Sequence, residues 1–161
     1  MMEYQIKYFD EIHLKGYVAK LPLPTMSNTA EISKLKSEHF TNISKNGSFP
    51  NLMQGSSDQI GYAFSMPTKD HLEYFAGANT ISQDNKSVEK VIPAGNFVVL
   101  KGQGQSSRKL FDKMIQQFFS EIWNNRRELY KIDGGFIVET LLNGNPTDSI
   151  VELRIPTTVE K

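Results

Sequence analysis

The chain has 161 residues, with 18 Lys plus Arg balanced by 18 Asp plus Glu, and no Cys. The zero formal net charge gives no electrostatic reason to expect nucleic acid or an anionic membrane surface as a direct partner. The lack of thiols excludes disulfides, thiolate zinc sites and cysteine nucleophiles, and the length suits one domain or two small halves sharing a core.

The opening MMEYQIKYFDEIHLK is too charged and broken for a signal peptide. No apolar run approaches the roughly 20 residues that a membrane helix needs, so no membrane partner and a cytoplasmic location are expected. Ten Phe, six Tyr and one Trp exceed what a small core requires, which leaves aromatics to line a pocket.

Glu3 to Pro22 reads as extended structure, alternating at Tyr4, Ile6 and Tyr8, interrupted at Phe9-Asp10-Glu11, with a bulge expected at Gly16. Asn28-Thr29-Ala30-Glu31 has capping-box spacing. Ile32, Leu35, Phe40 and Ile43 continue at helical spacing to a stop at Lys45-Asn46-Gly47. Ser48 to Asp58 reads as a polar loop, Gln59 to Met66 as a strand, Pro67 to Asp70 as a turn, and Leu72 to Ile81 as a strand broken near Gly77. A surface loop at Asp84-Asn85-Lys86 follows. Pro93-Ala94-Gly95 makes a turn before the buried-type strand Phe97 to Leu100.

Leu110 to Trp123 carries an apolar doublet every four residues, the mark of a helix face. Each step of four over-rotates by about 40°, so the stripe drifts into a broad face suited to lying across a sheet. Ser106 or Ser107 can cap its start, and Arg126 with Arg127 suits the negative end of its dipole. Trp123, at the helix end, is placed to leave the core and wall a cleft. Asp133-Gly134-Gly135 then turns into the strand Phe136 to Leu142, and Asn143 to Pro146 is a loop before the last strand, Ile150 to Ile155, closed by Pro156.

The order strand, helix, strand, strand occurs twice. First strands begin at Gly16 and Gly95, helices near Thr29 and Arg108, and last strands near His71 and Ile150, each pair 79 residues apart; the third elements, from Ile60 and Phe136, are 76 apart. This pattern predicts an α+β fold from a duplicated unit, with a mostly antiparallel sheet of about eight strands and two helices on one face. One domain over 1–161 is expected, built of pseudo-repeats at about 1–82 and 83–161. The uncovered face, or the seam between halves, is the natural ligand cleft.

IPAGNFVVLKGQG, FFSEIW, FIVET and VELRIPT, together with QIGYAFSM and LEYFAGANT, make the chain resemble the gyrase-inhibitor-like effector-binding family over nearly its whole length. Members include bacterial stand-alone proteins, among them an integron-associated branch, and the drug-sensing halves of multidrug-responsive transcription regulators. The resemblance implies a pocket for cationic, lipophilic molecules, lined by aromatics around a central glutamate, here Glu139, with Trp123 matching the family's tryptophan near the end of the long helix. It also implies a role in transcription regulation or drug response. The chain starts its effector segment almost at once, which counts against a direct transcription-factor role. As the family's name implies, a topoisomerase or a separate DNA-binding protein is the protein partner to expect, and the chain itself is expected as a monomer or homodimer.

Alternation puts Glu139 on the side of Ile137 and Leu141, opposite Val138 and Thr140. It is then either solvated on an outer face or at the floor of a cleft, where desolvation makes an unpaired charge costly and a ligand cation relieves that cost. The resemblance favours the cleft. Tyr62, Tyr74, Phe97 and Trp123 are the candidate aromatic walls, with Tyr17 and Tyr130 behind them, contributing cation–π attraction.

The main expectation is a non-catalytic binding module without cofactor or metal. His13, His39 and His71 lack metal-like spacing, and Gly102-Gln103-Gly104-Gln105 lacks the residues that follow the glycines of a phosphate loop. As a hydrolase of reactive small molecules, the chain would use Glu139 as base with Tyr62 or Tyr74, although no second acid is recognisable. A gyrase-inhibitor-like protein-binding module is the third reading.

Overall fold

In the computed structural model, residues 3–81, 86–131 and 136–160 are described. The expected turns at Asp84-Asn85 and Asp133-Gly134-Gly135 lie outside them. The fold is α+β, with eight strands, β1 to β8, and three α-helices, α1 to α3, among the described residues. The chain divides into two compact units, Met1–Ile12 with Val91–Lys161, and His13–Lys90.

The first unit contains β1 (Gln5–Phe9), β6 (Gly95–Gln103), β8 (Ile150–Thr157) and β7 (Val138–Leu141), side by side in that order. All three pairings are antiparallel. Because β1 pairs with β6, the first residues of the chain join the unit built from its second half, so the compact units do not follow the boundary expected near residue 82. Pro156 does not close the last strand. It sits opposite Phe97 within the ladder, which continues to Thr157.

α3 (Ser107–Gln117) crosses this sheet, and its start is capped by Ser106, whose Oγ accepts from the Lys109 amide at 3.4 Å. The side it covers is marked by Gly102, where an added Cβ would lie 3.3 Å from Leu110 Cδ2 and Met114 Sδ. The expected single α-helix over Leu110–Trp123 changes character at Phe118: Phe118–Trp123 is a π-helical turn. A wider turn advances each residue by less than the roughly 100° of an α-helix. A step of four there no longer over-rotates, so the drifting stripe is pulled back toward the sheet, and Phe118 and Ile122 are buried.

The second unit contains β2 (Ile12–Leu21, whose first residue falls in the first unit), β3 (Ser56–Pro67), β4 (Leu72–Thr80) and β5 (Val88–Ile92, which runs across the division), in the order β3-β4-β2-β5. The order β2, helix, β3, β4 here and β6, helix, β7, β8 in the first unit give the same lateral arrangement, with the last strand of each set in the middle.

α1 (Thr29–Lys45) starts and stops where the sequence places it, but the Asn28 side chain does not cap it. Its Oδ1 accepts from the Thr25 amide at 2.7 Å and its Nδ2 donates to the Leu23 carbonyl at 2.8 Å, so it folds the entering loop instead. The expected loop from Ser48 is a second helix, α2 (Ser48–Gln54). Pro50 lies in its first turn, where a missing N–H costs nothing, and Phe49 and Leu52 are buried. These two residues pack with Ile43, Tyr17, Ala76 and Ala78, while Ile32 packs with Leu21, Leu72 and Tyr74.

Gly16 is not a bulge, and β4 is not broken at Gly77. The two glycines are cross-strand partners in an uninterrupted register, and a Cβ on either would collide with the other strand's backbone. Among the described residues no helix is long and apolar enough to cross a membrane.

Candidate functional site

Register decides the direction of Glu139. It sits opposite Leu153 on β8, while Leu141 sits opposite Val151, and Val151 shares the side of Gly102 that α3 covers. Glu139 therefore points under α3, and it is only 3 % exposed. There it meets Arg108, the second residue of α3. Arg108 Nη1 donates to Oε1 at 3.1 Å and Nη2 to Oε2 at 2.5 Å, a two-point fork on the carboxylate.

The same guanidinium is shared. Its Nε donates to Asp112 Oδ1 at 2.9 Å, and Nη2 lies 2.8 Å from that oxygen. The Arg108 side chain is 14 % exposed and that of Asp112 43 %, so the cation bridges a buried and a solvated carboxylate. Its Cζ lies 5.6 Å from the centre of the Phe111 ring, within cation–π range. A cation in the first turn of a helix opposes the positive end of the helix dipole; the two carboxylates are what offset that repulsion. The charge on Glu139 is thus met within the chain rather than by solvent.

Trp123 lies fifteen residues after Arg108 on the same helix and its π turn, about 20 Å along the axis. Its Nε1 donates to the Tyr130 carbonyl at 2.8 Å. Its ring meets the edge of Phe119 at 5.5 Å, and Arg127 stacks over it with Cζ 3.9 Å from the centre. Tyr130 completes this cluster against Phe118 and Phe119, and burial pushes its phenol pKa up. The Trp123 cluster and the Arg108 end of α3 are therefore separate places within the unit.

Phe97 is buried on the side of β6 away from α3, opposite in direction to Gly102 and hence to Glu139. It meets Phe9 edge-on at 5.7 Å, and Arg154 lies over Phe9 with Cζ 4.1 Å from the ring centre. Arg154 donates from Nε and Nη2 to Glu152 Oε1, both at 3.3 Å. This second buried acid–base pair, set among aromatics, escaped sequence reasoning, as did Arg108, Asp112 and Phe9. The available signals were spacings: Arg108 and Asp112 are four apart on a helix, and Glu152 and Arg154 are two apart on a strand, so each pair shares a face. An open groove of about 540 Å³ lies along β1 and β6, lined by Gln5, Ile6, Lys7 and Lys101; none of the expected site residues lines it.

The remaining candidates belong to the second unit. Tyr17 and Tyr74 face α1 and α2 in its core. The His39 ring lies 6.0 Å from Tyr74, Lys36 Nζ lies 5.3 Å above Tyr74, and His39 Nε2 donates to the Tyr17 carbonyl at 2.9 Å. Burial lowers the His39 pKa, partly countered by that hydrogen bond. Tyr62 faces the other way: it pairs with Gly77, beside the Phe64–Phe75 ring pair at 5.0 Å. Its hydroxyl donates to Asp58 Oδ2 at 2.6 Å. Asp58 sits where the β3 register shifts, next to Gln59, whose φ of 58° is a left-handed conformation held by side-chain hydrogen bonds to Met53 and Ser56 carbonyls. Tyr62 and Tyr74 thus lie on opposite faces of the same strand pair. Among the described residues, no group of three or more His, Asp or Glu is arranged to hold a metal.

Solved structures share this fold. A Staphylococcus aureus MU50 protein described as a candidate for bacterial transcription regulation is similar at 16% identity, with 97% of this chain and 98% of that one covered and a TM-score of 0.76. SAV2435, solved bound to tetraphenylphosphonium, is similar at 15% identity over 96% and 93% of the two chains, with a TM-score of 0.77. An integron cassette protein from the mobile metagenome of Vibrio cholerae is similar at 16% identity over 95% and 94%, with a TM-score of 0.59. No curated protein gives a significant match. The model of one family matches residues 5–157, nearly the whole chain, and the chain belongs to that family, the integron-associated effector binding proteins (Cass2).

Proposed function

We propose that this chain is a non-catalytic receptor for a small lipophilic organic cation, with Glu139 as the counter-ion. The observation that carries the reading is the Arg108–Glu139 fork beside Phe111. The carboxylate is desolvated, and what it already accommodates is a planar, delocalised organic cation next to an aromatic ring. A quaternary phosphonium or ammonium with aryl groups brings no N–H donors, but it shares the guanidinium's weakly hydrated charge and affinity for ring faces and adds an apolar body. SAV2435, which shares the fold, is a protein solved with such a cation. The family's description as effector binding proteins supports a sensing or sequestering role over a catalytic one.

Calorimetric titration with tetraphenylphosphonium tests this, with the neutral triphenylphosphine oxide as control. Wild type is expected to bind the cation in preference to the neutral compound. Glu139→Gln, with its fold verified by circular dichroism, is expected to lose at least tenfold in cation affinity, about 1.4 kcal/mol. Equal affinity in the two proteins would remove Glu139 from the site.

A further inference from the structure

Within that reading of Glu139, we infer that Arg108 is a resident competitor for the ligand: the cation binds by displacing the guanidinium from the carboxylate, and Arg108 thereby sets both affinity and charge selectivity. Both oxygens of Glu139 receive an N–H of Arg108. A ligand cation that merely approached would find the Glu139 charge already countered by the guanidinium, with only the half-exposed Asp112 carboxylate left to attract it. A ligand that takes the guanidinium's place meets the negative charge of a buried carboxylate directly.

Three features make the exchange feasible. Arg108 stands in the first turn of α3, where the helix dipole works against a cation. Asp112, four residues along and half exposed, already holds Nε and Nη2 of the same guanidinium, so Arg108 leaves Glu139 with a second carboxylate in hand. The Arg108 side chain is the more exposed partner of the pair, whereas Glu139 is nearly sealed, so the moving part is the arginine. Removing Arg108 leaves Glu139 short of its built-in cation, a deficit that a ligand cation fills.

The test is tetraphenylphosphonium and triphenylphosphine oxide affinity for wild type, Arg108→Gln and Asp112→Asn, each checked for cooperative thermal unfolding. Arg108→Gln is expected to bind the phosphonium at least tenfold more tightly and to raise its preference over the neutral oxide. Asp112→Asn, which takes away the carboxylate that receives the displaced arginine, is expected to bind the phosphonium several-fold more weakly. A purely structural role for Arg108 would give looser binding in both variants.

Unchanged or weaker phosphonium binding by a folded Arg108→Gln, with wild type still binding, overturns the competitor and leaves the function proposed for Glu139 standing. If Arg108→Gln does not fold, Arg108→Lys, which keeps the charge but gives up the two-point fork on Glu139, takes its place: it is expected to bind the phosphonium more tightly than wild type, and unchanged or weaker binding there overturns the competitor. Absence of phosphonium binding in wild type and all variants overturns the cation reading and the competitor together.

Discussion

His39 on α1 donates to the Tyr17 carbonyl of β2 and stacks edge-on to Tyr74, with Lys36 above the same tyrosine. Burial holds its pKa below the ordinary histidine value. The unfolded chain therefore takes up a proton at a higher pH than the folded one. Stability is intact above the ordinary histidine pKa and falls as pH drops through it toward the lower folded value. His39→Gln, which keeps a side-chain donor, is expected to flatten the loss of stability between pH 7 and 5, read from urea midpoints at several pH values; an unaltered slope would move the titration elsewhere. Alternation correctly grouped Glu139 with Leu141, yet Arg108 looked like no more than the start of an amphipathic helix. The spacing of a helix residue from a strand residue 31 positions later is invisible until the two elements pack.

At the scale of elements, the β2–β4 pairing depends on two side chains that are absent. Gly16 and Gly77 face each other so closely that neither strand leaves room for a Cβ. Gly77→Ala is expected to destabilise the chain by about 1–3 kcal/mol through overpacking against backbone, measured by denaturant unfolding; a neutral result would mean that the strands separate freely there. The sequence flagged both glycines but read them as a bulge and a break, because local rules attach a glycine to its own strand rather than to a partner 61 residues away. α2 was missed for a related reason. Ser48 to Gly55 is short, polar at its ends and interrupted by Pro50, and only burial of Phe49 and Leu52 against β4 and α1 makes it a helix. The π turn after α3 is the reverse case: the drift of the doublets was legible, while the remedy depended on the sheet beneath it.

For the molecule as a whole, a ligand that binds only the native state must raise its stability. At a tetraphenylphosphonium concentration of 100 times the dissociation constant, wild type is expected to gain about 2.7 kcal/mol, and Glu139→Gln at the same concentration markedly less. Unfolding curves with and without the cation measure this, and equal gains in both proteins would indicate binding elsewhere. The α+β class and the recurrence of strand, helix, strand and strand were legible in the chain, because apolar periodicity and spacing are properties of sequence; the likeness to effector-binding proteins lay in its motifs, such as FIVET and VELRIPT. That β1 joins the second half of the chain, that Glu139 lies under α3 on an arginine, and that Phe97, Glu152 and Arg154 do not share its direction were decided by tertiary structure. Alternation fixes which residues of a strand share a side. Only the pairing of distant strands and the helix laid across them determine which side is covered, and therefore which charge meets which partner.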